Sequence, residues 1–136
     1  MSGVNQATFT LPGLPTSRNK LYYSDPRSGG IEWSRAALQW KAEVRPHIPP
    51  FRLLSEQSIV RLVLEFHYPW YTKAGDWLTR DTDNLIKVVQ DTIAKKCGFN
   101  DLRVKQLRIT SVDDREMYTK VMVREIHLTD GRLRVS

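Results

Sequence analysis

Asp81-Thr82-Asp83-Asn84-Leu85-Ile86-Lys87-Val88-Val89-Gln90-Asp91-Thr92-Ile93-Ala94-Lys95-Lys96-Cys97-Gly98, residues 81–98, decides the fold. Leu85, Val88, Val89 and Ile93 recur at helical spacing, so a helix is predicted from Asp83 or Asn84 to about Lys96. Lys95 and Lys96 suit the negative end of its dipole. Gly98 is a natural residue for the left-handed step that ends a helix. Upstream, Ser58 to Tyr68 alternates, with Val60, Leu62, Leu64, Phe66 and Tyr68 on one side and Arg61, Glu65 and His67 on the other. That is a strand with one buried face, closed by Pro69. Downstream, Arg103 to Val112 and Tyr118 to Leu128 read as strands, with Asp113, Asp114 and Arg115 fitting a hairpin turn between them.

Towards the N-terminus, Gln6 to Leu11 reads as a short strand ended by Pro12. Residues 13–30 are rich in Pro, Ser and Gly, and a connection that long is usually functional or disordered. Ile31-Glu32-Trp33 is a brief extended piece, and Ser34 is a plausible N-cap. A helix from about Arg35 to Arg45 would bury Ala37, Leu38, Trp40 and Val44 before Pro46 stops it. Pro49-Pro50 marks a turn, and Trp70 to Thr79 forms a loop. The resulting order is β-α-β-α-β-β: an α/β sandwich with a mixed sheet of about four strands and two main helices. The 136 residues are expected to form a single domain, with 129–136 as a flexible, basic tail.

Composition narrows the function. Hydrophobic residues make up 40% of the chain, enough for a packed core. No apolar run approaches the roughly 20 residues needed to cross a bilayer. Met1 to Gln6 lacks the charged start and apolar stretch of a signal peptide, and Cys97 has no partner for an internal disulfide. A reducing cytoplasm is the expected compartment. The net charge of +6 and the sequence pI near 9.7 favour polyanionic partners.

An acidic cluster amid this positive charge carries the chemistry. Asp81 and Asp83 stand two apart, so on an extended approach to the helix both point the same way and can reach one cation. Lys87 lies one turn above Asp83 on the same helical face. Asp101 follows the Gly98 turn and joins them only if the chain returns beside the helix N-terminus. Hard divalent cations take several oxygen ligands. Phosphodiester cleavage uses such a cation together with a group that neutralises developing charge. Each residue also has a plainer reading: Asp83 as a helix cap, Lys87 as a solvated helix charge, and Asp101 as turn chemistry. The spacing leaves both readings open.

The string Arg80-Asp81-Thr82-Asp83-Asn84-Leu85-Ile86-Lys87, with Asp91 and then Gly98-Phe99-Asn100-Asp101-Leu102-Arg103-Val104, resembles the RusA family of Holliday-junction resolvases. These occur in bacteria and their prophages. Thr10-Leu11-Pro12, Pro15, Ser17, Asn19 and Tyr22-Tyr23 are similar to the family's opening strand and loop, so the likeness runs from about residue 8 to 126. It implies a magnesium-dependent endodeoxyribonuclease, with manganese as a substitute, that acts as a homodimer. Such an enzyme makes paired nicks in branched DNA during recombination and repair, with no organic cofactor and no membrane. It would work in the cytoplasm of a bacterial or phage-infected cell. The family's essential carboxylates fall on Asp81, Asp83 and Asp101, and its catalytic lysine on Lys87. Asn84 matches the adjoining asparagine, and Asp91 matches a frequent acidic position with a secondary role. Two departures stand out. Asn100-Asp101 replaces two adjacent acidic residues, and Trp77-Leu78-Thr79-Arg80 replaces a more basic run.

Arg18, Asn19, Lys20, Arg27, Lys73, Arg80 and Asn84 are the candidate DNA contacts. Trp70, Tyr71 and Trp77 suit either base stacking or packing. His47, His67 and His127 lack partners at metal-ligand spacing and read as structural or exposed. Cys97 reads as a small buried filler. The rival functions are a non-catalytic DNA-binding module and a metal nuclease acting on flaps or other branched DNA.

Overall fold

The computed structural model describes residues 4–14, 22–24, 31–33, 35–71, 74–75 and 82–128. In chain order these give β1 (Gln6–Pro12), β2 (Tyr22–Ser24), β3 (Ile31–Trp33), α1 (Arg35–Val44), β4 (Ile59–Tyr68), α2 (Thr82–Cys97), β5 (Val104–Asp113) and β6 (Tyr118–Ile126). Short 3-10 turns lie at Arg45–His47 and Asp101–Arg103.

Alternation along β4 does what the sequence predicts as far as Phe66, whereas His67, read on the open side, is buried. Val60, Leu62, Leu64 and Phe66 are buried on one side, while Arg61 and Glu65 on the other are partly exposed. The stripe of α2 meets that buried side: Leu85, Val88, Val89 and Ile93 are all within the core. α1 adds Ala37, Trp40 and Val44, and the Trp40 indole donates to the Pro12 carbonyl at 3.2 Å. Two helices therefore cover one face of a mixed sheet. This is the expected α/β arrangement.

Among the described residues the main sheet has the order β1-β6-β4-β5. β4 runs parallel to β5, with α2 as the crossover that a parallel pair requires, and antiparallel to β6. β1 closes the other edge, antiparallel to β6.

Three expectations change. β5 and β6 are not a hairpin, because β4 lies between them. Asp113 to Met117 instead arches over the end of β4: Asp114 N donates to Tyr68 O at 3.0 Å, and the Asp113 carboxylate accepts from Trp70 N at 3.0 Å. The cause is burial: β5 has no buried residue and takes the edge, whereas β4 has the most continuous buried run and takes the interior slot beside β6. Leu38 is the second change, since it is exposed on the outer side of α1 rather than buried. Third, Ile31–Trp33 pairs antiparallel with Tyr22–Ser24, which places a short ribbon in the stretch read as loop. The proposed cap at Ser34 and the tail from residue 129 lie outside the described residues.

Candidate active site

The site is built on α2 and on the turn that follows it. Positions 83, 87 and 90 recur on one face of this helix. Lys87 on that face is exposed. At the far end Gly98 adopts φ +73°, and Phe99 N donates to Ala94 O at 3.0 Å, a hydrogen-bonded reversal that ends the helix. The chain then folds back. Gln90 Nε2 donates to the main-chain oxygen of Asp101 at 3.3 Å, so the turn at Asp101–Arg103 lies against the face of α2 that bears Lys87.

That turn is closely specified. Asn100 Oδ1 accepts from Leu102 N at 2.9 Å, capping it. Asn100 thus has a local structural role. Asp101 is exposed, and its carboxylate has no hydrogen bond or ion pair among the described residues. Arg103 points away from it, donating to Ser55 O at 2.6 Å and to Ser58 O at 2.8 Å.

Other candidates fall elsewhere. Asp91 faces α1, where it pairs with Lys41, and it also lies 3.4 Å from Lys95 on its own helix. It ties the two helices together instead of facing the Asp101 turn. Asp81 lies outside the described residues, as do Arg18, Asn19, Lys20, Arg27, Lys73, Trp77 and Arg80. Asp83 and Asn84 are described only as backbone in the first turn of α2. Trp70 packs against the core, and Tyr71 is exposed. Cys97 is buried, and burial pushes its thiol up, as suits a filler and not a nucleophile. His47 and His127 are exposed.

Two polar clusters escaped the reading of the sequence. His67 is buried with Nδ1 3.0 Å from Asp114 and Nε2 2.5 Å from Glu65, and its ring stacks on Tyr118 with centroids 4.2 Å apart. The Glu116 main-chain N–H, and then His67, hold the Asp114 carboxyl below its usual range, while burial and Asp114 push Tyr118 up. This cluster fastens the arch between β5 and β6. The second centres on Glu125, which is 4% exposed and accepts from Asn5 Nδ2, Leu54 N, Ser55 N and the Ser58 hydroxyl. Burial opposes its charge, but these four donors bring its carboxyl down to about 2. Glu125 was legible in principle, as a carboxylate in the buried register of Val121 and Val123.

Magnesium takes oxygen ligands. Asp101 offers a carboxylate on a fixed turn beside α2, a donor that fits such an ion. Among the described residues no three His, Cys, Asp or Glu side chains gather as a metal cage. A cage at this place needs Asp81 and Asp83 as well. Among the described residues no helix is long and apolar enough to cross a membrane.

A family model described as endodeoxyribonuclease RusA matches residues 12–124. Among curated proteins, none matches the chain significantly.

Proposed function

The chain belongs to the RusA family of endodeoxyribonucleases, and we propose that it resolves four-way DNA junctions by magnesium-dependent hydrolysis, in paired nicks made by a homodimer. Family membership carries with it endodeoxyribonuclease action on Holliday junctions. The observation that best supports a metal site is the return of the Asp101 turn along α2, through the Gln90 contact at 3.3 Å. It brings the main chain of the Asp101 turn to Gln90, which shares a helix face with position 83 and Lys87.

In this reading Asp81, Asp83 and Asp101 hold magnesium, or manganese in its place, and Asp91 acts only as a helix tie. The bound ion supplies Lewis acidity and a water that loses its proton easily. Lys87, one turn into α2, neutralises charge that develops on the phosphoryl oxygens. The N-terminal amides of α2 favour an anion at the same end. The net charge of +6 draws the junction arms in through their phosphates, with Arg18, Asn19, Lys20, Arg27, Lys73, Arg80 and Asn84 as contacts. Two cuts across one junction need two such sites, hence the homodimer. Recombination and repair in the cytoplasm of a bacterial or phage-infected cell supply the substrate.

Thermal melts with magnesium or manganese test the metal. Either ion should stabilise the wild type and leave an Asp81→Asn/Asp83→Asn double variant unmoved. Equal stabilisation of both proteins would favour a non-catalytic binding module. Cleavage of four-way, three-way and linear DNA in one assay tests the substrate. Preference for the four-way junction is expected, and preference for flaps would reassign it.

A further inference from the structure

We infer that Arg103 is a positioning residue for Asp101, clamped by a buried polar post made of Ser58 and Glu125. The inference rests on the reading of Asp101 as a metal-holding carboxylate.

The Asp101–Arg103 turn contains no buried residue, and Leu102 at its centre is 71% exposed. Apolar packing therefore does little to fix the turn. The sheet ladder does not include Asp101 either. β5 begins at Val104, opposite Val60, and the register shifts directly afterwards, between Val60 and Arg61. The Gln90 contact is long for a hydrogen bond, at 3.3 Å.

Arg103 supplies the missing restraint. Its Nη2 donates to Ser55 O at 2.6 Å, to Ser58 O at 2.8 Å and to the Ser58 hydroxyl at 2.8 Å, and its Nε donates to Ser58 O at 3.2 Å. Those acceptors are themselves held. The Ser58 hydroxyl lies 2.5 Å from Glu125 Oε2, and the same oxygen accepts from Ser55 N at 3.0 Å. A guanidinium fork reaches several acceptors in fixed geometry, whereas a lysine ammonium does not reproduce it.

Direction matters as much as strength. The guanidinium spends its bonds on the 55–58 loop and makes no ion pair with Asp101, two residues away. The clamp thereby holds the main chain of the turn without placing the Arg103 charge on the Asp101 carboxylate. Outer residues that orient a ligating carboxylate tune metal affinity in this way. A displacement on the order of 1 Å at a catalytic group costs about a hundredfold in rate.

The test measures four-way junction cleavage across a magnesium titration, with junction affinity determined separately, well below each variant's Tm. Arg103→Met and Arg103→Lys should lower the maximal rate at least tenfold and raise the magnesium concentration at half-maximal rate. Junction affinity should stay within twofold. If Arg103→Met does not fold, Ser58→Ala, which removes one of the acceptors, should move the same two readouts in the same direction by a smaller factor. Leu102→Ala should change neither. A fall in Tm with wild-type rate and magnesium midpoint would overturn the inference, since a merely structural clamp behaves so. Asp101→Asn separates the two levels of the argument. Full cleavage by that variant sinks the reading of the site itself. Loss of cleavage there, beside wild-type behaviour of the Arg103 and Ser58 variants, sinks only the clamp.

Discussion

Gln90 Nε2 reaches the main-chain oxygen of Asp101 at 3.3 Å, although the two residues are separated by the end of α2 and a full chain reversal. The contact converts a sequence spacing into a spatial one. Position 83, Lys87 and Gln90 follow one another along a single helix face. The turn that carries Asp101 comes back to that face.

Lys87 should matter to rate and little to stability. It is exposed on a well-formed helix, and methionine has similar helix propensity. Lys87→Met is expected to keep unfolding free energy within about 0.5 kcal/mol. Junction nicking should fall about a hundredfold, as when one preorganised charge-stabilising donor is removed. Single-turnover cleavage beside a urea titration checks both.

Asp91 should behave in the opposite way. Its carboxylate joins Lys41 of α1 to Lys95 of α2. Asp91→Asn is expected to cost about 1.5–3 kcal/mol, the usual worth of a hydrogen bond to a charged group. Nicking at saturating magnesium should stay near the wild-type rate. Abolished cleavage with intact stability would return Asp91 to the active site.

Acid should unfold the protein partly through Glu125. Its folded carboxyl sits at about 2, against an ordinary 4.5, so the ionised form favours the folded state. That contribution is fully present above about pH 4.5 and is lost as pH falls towards 2. Solvent screening keeps the contribution at or below about 3 kcal/mol at neutral pH. Urea unfolding at a series of pH values should show stability falling through this window. Glu125→Gln should be less stable at neutral pH and flatter across the window.

Gly98 should resist substitution for a backbone reason alone. Its φ is +73°, and a Cβ added there meets nothing within 4 Å. Gly98→Ala should therefore cost about 1 kcal/mol from left-handed strain, with no steric term. A larger loss in a thermal melt would mean that the reversal into the Asp101 turn had been disturbed.

Local patterns were legible and neighbour relations were not. The stripe of Leu85, Val88, Val89 and Ile93, ended by Gly98, defines α2, and alternation from Val60 to Tyr68 defines β4. Both signals come from burial on one side of a regular element. Asp113, Asp114 and Arg115 look like a hairpin because turn chemistry is local, whereas the placement of β4 between β5 and β6 depends on which strands compete for an interior slot. Leu38 looks like a core residue by type, but its side of α1 faces out. The clamp of Arg103, Ser58 and Glu125 joins residues up to 67 positions apart, and no spacing rule connects them. Two carboxylates at i and i+2 suggest a cation from the sequence alone, whereas the contact of the Asp101 turn with Gln90 depends on the tertiary path.

In the proposed mechanism Asp83 and Asp101 serve one metal site on a DNA-gripping surface. Its most direct test is parallel binding and nicking of a synthetic four-way junction by wild type, Asp83→Asn and Asp101→Asn in magnesium. Each variant should bind the junction as the wild type does and fail to nick it. Normal nicking by either variant would contradict that mechanism.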